Sequence, residues 1–285
     1  MQQDGRPSIL PSPPHLAAGA FGGPLVIVSL TPLRNAMSNA AQDRTASFVA
    51  LFAKVGGRGA MHSSLMSRVA TAYTGAAVSA LPACPQWCVI GPAFHAFHAV
   101  LPTPLALLAT AHLETFIAYG SQSRNAQLAY NVQVAAGSSA PPGCVTQPIA
   151  PSQLTKVWQP WGPGAAFFAL RNACGMAGIR WLSPPCQAFL EPVMPTGPRE
   201  VCSDMAASMV TCVASAPLNA CWAYVVTTPE LWTKPNPQCL SALLNFLKRQ
   251  RRHALRDFSV RCVYISSCFT MFSAIERLCV ATWPK

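Results

Sequence analysis

Acidic residues are scarce: nine Asp and Glu stand among 285 residues, against twenty Lys and Arg. A soluble domain of this length carries roughly 70 charged residues, more than twice what is found here. So sparse a charge excludes a disordered polyelectrolyte, which needs high charge and low hydrophobicity. It also excludes a heptad coiled coil, whose e and g positions want charge. Carboxylates are too few to supply the placed acid–base groups that most enzymes use. No G-x-S-x-G, H-E-x-x-H or G-x-x-x-x-G-K-[ST] motif occurs. An enzyme is therefore not expected, no cofactor is implied, and no small-molecule substrate is evident.

C-x-x-C spacing is missing too, although there are twelve cysteines. That leaves a thioredoxin-type motif and a zinc ribbon unsupported. No Asn begins an N-x-S/T sequon, so nothing points to a glycosylated secreted chain. The nearest approach to a metal site is Cys84-x3-Cys88-x6-His95-x2-His98. Zinc sites usually separate their Cys and His pairs by about a dozen residues. This cluster is tighter, and Pro85 and Pro92 fall inside it, so no metal is assigned.

Apolar residues and proline are abundant. The apolar fraction is 51%, mean hydropathy is +0.29, and 27 residues are proline. The net charge of +11 is uneven: residues 1–68 carry +4, residues 69–229 carry +1, and residues 230–285 carry +6. Basic ends around a nearly neutral middle suit an anionic partner, membrane lipid or nucleic acid.

Proline divides the chain into segments. Residues 1–35 read as a Pro/Gly-rich irregular start. The apolar run Leu16–Leu33 is broken by Pro24 and Pro32 and lacks a small-x-small cleavage site, so it does not read as a signal peptide. Residues 1–68 are acid-poor and rich in Ala and Ser, with scattered arginines, as a mitochondrial presequence would be. Residues 36–80 read as short amphipathic helices. One is carried by Phe48, Leu51, Phe52 and Val55, with Asp43 and Arg44 ahead and Gly56-Gly57 as its stop.

Residues 81–140 are apolar and form a possible membrane segment, best at Val89–Ala111, where Pro92, Pro102 and Pro104 weaken a helix. Residues 141–204 hold eleven prolines and read as loop, interrupted by one short helix from Ala165 to Arg180. Residues 205–228 form a second apolar segment of spanning length. Residues 229–285 form a basic helical region. Within it Cys262–Ile275 is short for a span and fits a buried helix or a strand pair.

The candidate site is the cluster Lys248, Arg249, Arg251, Arg252 and Arg256. It follows a helical stripe of Leu240, Leu243, Leu244 and Leu247. Leucine beside arginine fits a helix lying on an anionic bilayer. The Lys248–Arg251 quartet also fits a nuclear-import pattern and phosphate-backbone binding.

The expected fold is mostly α where ordered, with long Pro-rich irregular or disordered segments and no compact single core. Three functional readings follow. The favoured one is a non-enzymatic membrane protein with basic cytoplasmic ends. The second is a soluble basic module that binds nucleic acid or enters the nucleus through residues 248–256. The third is the product of a reading frame never shaped to a fold, because Arg outnumbers Lys by 15 to 5 and local signals conflict.

Overall fold

Most prolines that look like helix breakers stand where a helix tolerates them. The first turn of a helix has no intrahelical use for its N–H groups, so proline costs nothing there. In the computed structural model, which describes residues 12–41, 47–55, 64–135 and 147–283, helices begin at or just ahead of such prolines. Pro13 opens α1 (Pro13–Ser29). Pro32 stands in the first turn of α2 (Thr31–Ala40), Pro104 in that of α6 (Thr103–Ala135) and Pro184 in that of α8 (Ser183–Leu190). Pro195 caps α9 (Thr196–Val226), and Pro237 begins α10 (Asn236–Gln250).

The remaining helices are α3 (Phe48–Val55), α4 (Leu65–Ala72), α5 (Ala76–His98), α7 (Ala165–Ala177) and α11 (Ala254–Thr282). A π turn, Gly178–Leu182, joins α7 to α8, and a single 3₁₀ turn, Arg251–His253, joins α10 to α11. There is no strand among the described residues.

The mostly helical expectation holds. The expectation of long irregular segments without a compact fold does not: the chain is a compact helical assembly. Residues 13–29, read as irregular, are helical. Pro24 is absorbed because the π turn Ala18–Gly22 has already reset the hydrogen-bond ladder ahead of it. The glycines of α1 serve close packing. A Cβ on Gly23 would stand 2.5 Å from the Trp87 ring, and one on Gly22 would stand 2.8 Å from the Ile275 side chain.

The window Val89–Ala111 is not one helix. It breaks at residues 99–102, and α5 and α6 fold back against each other as a hairpin. Cys262–Ile275 is helical, as one of its two alternatives expected, and lies wholly inside the 29-residue α11 with Cys262, Tyr264, Ile265 and Cys268 buried; it is not a strand pair. The amphipathic helix at Phe48–Val55 forms, with Leu51 and Val55 buried. Its flanking signals Asp43, Arg44 and Gly56-Gly57, and Pro141 and Pro142, lie outside the described residues.

Three apolar clusters fill the interior. Tyr119, Phe168, Trp222, Val225 and Phe246 join α6, α7, α9 and α10. Val26, Met37, Leu51, Val260 and Ile265 join α1, α2, α3 and α11. Phe94, Leu107 and Met176 form a smaller group. Each fully buried large side chain contributes about 1.5–3 kcal/mol.

Polar groups run between the clusters. Arg34 donates to Asn125 Oδ1 at 3.1 Å, and Asn125 donates to Asn35 Oδ1 at 2.9 Å. Asn35 in turn donates to the carbonyls of Ala72 and Thr74, both at 3.0 Å. Buried hydroxyls turn back on their own helices: Thr110 donates to Ala106 O, Thr115 to Ala111 O and Thr227 to Ala223 O. Such hydroxyls need no partner from a neighbouring helix.

The part of the Pro-rich region that does stay irregular, residues 147–164 apart from a 3₁₀ turn at Pro151–Gln153, is held by α6. Asn131 both donates to Ile149 O and accepts from Ile149 N. Gln127 Oε1 accepts from Thr155 N, and Tyr119 Oη donates to Pro163 O at 2.7 Å. Gly120 lets the backbones meet. A Cβ there would stand 2.6 Å from Gln159 N and nearer still to the carbonyls of Lys156 and Val157. Gly120→Ala is therefore expected to cost about 1–3 kcal/mol, as overpacking against backbone does. A thermal melt unchanged from the parent would contradict this contact.

Candidate functional site

The predicted basic cluster splits. Lys248 and Arg249 end α10, and Arg251 and Arg252 sit in the 3₁₀ turn; all four are exposed. No carboxylate pairs with them among the described residues. Arg256 turns inward instead. Its Nη2 donates to Ala40 O at 2.8 Å and meets Asp257 Oδ1 at 2.7 Å. The 3₁₀ turn causes the split, because it changes the helical phase between Arg252 and Arg256. Four of the five candidate residues thus share a surface, and the fifth ties α11 to the end of α2.

Beside those four cations lies an apolar face. α10 buries Leu243 and Phe246 and leaves Leu240, Leu244 and Leu247 exposed at i, i+4, i+7 spacing. The sequence stripe therefore divides, with Leu243 inward and three leucines outward. The Cys84, Cys88, His95 and His98 set lies along α5, where Cys88 Sγ donates to Leu16 O and His98 stacks on Phe94. No three His, Cys, Asp or Glu side chains come together to hold a metal ion among the described residues.

A second feature was not foreseen. A cavity of about 710 Å³ opens between α1, α5, α6, α7, α8, α9 and α11. Its outer part is lined by His15, Arg180, Asp204 and Glu276, near the N-terminal end of α9. His15 and Glu276 lie 3.8 Å apart, and Ser183 donates to Asp204 at 2.5 Å. Its inner part reaches Glu114, Arg171 and Arg261, which come from α6, α7 and α11. No sequence spacing links these three residues. The visible signal was rarity: Glu114 is the one carboxylate between Asp43 and Glu191.

Glu114 lies deep in the bundle, yet its side chain keeps some accessible surface because it faces the cavity. Its Oε1 accepts from Gln86 Nε2 at 2.8 Å. Burial raises its carboxyl to about 7, against the opposing pull of Gln86, Arg171 and Arg261. A raised carboxyl favours the folded state while protonated. That contribution is complete below the ordinary carboxyl range and is lost as pH climbs through about 7. Glu114→Gln is expected to flatten the decline of thermal stability between about pH 4.5 and 7, the window from the ordinary carboxyl value to the raised one. Parallel curves for parent and variant would refute the assignment.

The outward face of α9 departs from the ordinary soluble pattern. On α9 the outward stripe is Ala206, Met209, Val210, Val213, Ala214 and Pro217, without one polar side chain. Its inward side carries Ser203, Ser208, Ser215 and Asn219, all buried. Two helical stretches, Thr196–Val226 and Pro237–Thr282, are long and apolar enough to cross a membrane. No family model matches the chain. Nor does any of the curated proteins match it.

Proposed function

We infer that the chain is an integral membrane protein whose α9 and α11 cross the bilayer, with the basic turn between α10 and α11 on the cytoplasmic surface. The outward stripe of α9 carries this reading. Water gives no reason to collect six apolar side chains outside while serines and an asparagine turn inward, whereas hydrocarbon does. Without charge from residue 205 to 229, α9 offers more than the ~20 residues that a ~30 Å hydrocarbon layer requires.

Charge supports an orientation. Lys234, Lys248, Arg249, Arg251 and Arg252 gather at the C-terminal end of α9 and the N-terminal end of α11. The opposite ends carry mixed pairs, Arg277 with Glu200 at 3.1 Å and Arg199 with Glu191 at 3.3 Å. Excess Lys and Arg marks the cytoplasmic side. On that side Leu240, Leu244 and Leu247 can enter the acyl boundary while the cations meet anionic headgroups. The function is then non-enzymatic attachment and organisation at an anionic leaflet.

Alkaline carbonate extraction of membranes tests the insertion. The chain is expected in the pellet, and release into the supernatant overturns the reading. The leaflet contact has its own test. Each juxtamembrane Lys or Arg is worth about 1 kcal/mol at an anionic surface. Replacing Lys248, Arg249, Arg251 and Arg252 with Ala should reduce capture of a detergent-solubilised chain by phosphatidylserine vesicles at least tenfold. Equal capture by both proteins, or preference for RNA over vesicles, would refute that contact.

A further inference from the structure

The whole lining holds three arginines and three carboxylates, but the inner part of the cavity is unbalanced in charge. Arg171 and Arg261 line it, each only 3% exposed. Neither has a carboxylate partner within ion-pair distance among the described residues. Arg171 donates to the neutral acceptors Asn219 Oδ1 and Gln122 Oε1, and Arg261 to Ser215 Oγ at 3.3 Å. Glu114 is the one acidic side chain in the inner part of the cavity. Two buried guanidinium groups against one carboxyl leave positive charge in excess, and an uncompensated buried charge is costly.

Part of the cavity lining is apolar and aromatic: Trp87, Ile90, Met176, Ile179 and Phe269, with Phe272 tilted against Trp87 at 4.3 Å between centroids. A volume of about 710 Å³ falls in the usual range for small-molecule sites.

We propose that this cavity binds a small organic anion with an apolar body, its carboxylate facing Arg171 and Arg261 and its body resting on the Trp87, Phe269 and Phe272 rings. Each part of the lining has its counterpart in such a ligand. The anion offsets the excess guanidinium charge of the inner part. The apolar body displaces water from rings that gain little by being wet. Glu114 opposes the anion while ionised and so limits affinity. The site stands on the cavity lining and does not require that the chain span a membrane.

The experiment is isothermal titration calorimetry of the full chain in detergent with 4-phenylbutyrate and, separately, with its uncharged amide. Saturable binding of the acid is expected, at least tenfold tighter than that of the amide. Arg261→Gln should weaken the acid at least tenfold and leave the amide unchanged. Glu114→Gln should do the opposite and tighten the acid about threefold, a gain that damage to the fold would not give. Equal affinities for acid and amide overturn the proposal. So does no saturable binding by the parent chain, or an Arg261→Gln variant that still melts as the parent does and binds the acid unchanged.

Discussion

Arg171→Ala is expected to destabilise the fold by about 3–5 kcal/mol, the range for losing a large buried side chain together with the hydrogen bonds and ring contacts it makes. The guanidinium is 4.1 Å from the centroids of both the Phe168 and Trp222 rings. Those two rings meet edge-on at 5.4 Å, so the cation fills the angle between them. Alanine removes the filler, the cation–π attraction to both rings and the donors to Asn219 and Gln122. Two acceptors are then left without their partner, at about 1–3 kcal/mol each if water does not reach them.

Lysine restores the charge but not the planar fork that serves two acceptors and two rings at once, so Arg171→Lys should fall between parent and alanine. A thermal or urea melt measures the order. A midpoint for the alanine variant equal to the parent's would mean that this arrangement does not hold the helices together. The parent curve carries separate weight. A single cooperative transition with sharp near-ultraviolet signals is expected of evolved packing. A broad, featureless melt would instead favour the reading of a frame never shaped to a fold.

Sequence patterns reveal helices here better than they reveal tertiary structure. The stripes at Phe48–Val55 and Leu240–Leu247, the long apolar segment at 205–228 and the helix beginning at Ala165 all read directly, because each depends on neighbours three and four apart. Proline misled the reading of residues 13–35 and 183–204. Its effect depends on register: Pro13, Pro32, Pro184 and Pro237 lie in first turns, where no intrahelical N–H bond is lost. Sequence fixes register only when the start of the helix is known.

Val89–Ala111 misled in the opposite direction. Composition alone allowed a span, but Pro102 and Pro104 together end one helix and begin the next. Of the basic cluster, the four residues up to Arg252 were legible as a surface. Arg256 was not, since its inward turn depends on Ala40 and Asp257 and on a 3₁₀ turn that no local pattern announces. The cavity was illegible for a plainer reason. Glu114, Arg171 and Arg261 are separated by at least 57 residues in sequence, and only the packing of three helices joins them. A helix apolar on its outward face, such as α9, also hides its faces from any analysis that assumes apolar means inward.

Placing lysines on the outer stripe of α9 separates lipid from water most sharply. Val210 and Val213 are 61% and 67% exposed, and nothing among the described residues packs over them. In water, exchanging such residues for lysine is nearly neutral, within about 0.5 kcal/mol. In the centre of a spanning helix each lysine costs about 2.5–3.5 kcal/mol on insertion scales. The pair then costs about 5–7 kcal/mol if the sites lie near mid-bilayer, less if snorkelling relieves them.

Val210→Lys with Val213→Lys is therefore expected to abolish carbonate-resistant pelleting, whereas a Val210→Leu, Val213→Leu pair should pellet as the parent does. The leucine control holds the surface apolar, so a loss confined to lysine isolates charge from shape. If the lysine pair instead yields a soluble, folded chain with the parent's melting behaviour, α9 faces water. Its apolar stripe would then need a protein cover, and the basic turn would have to act on something other than a bilayer.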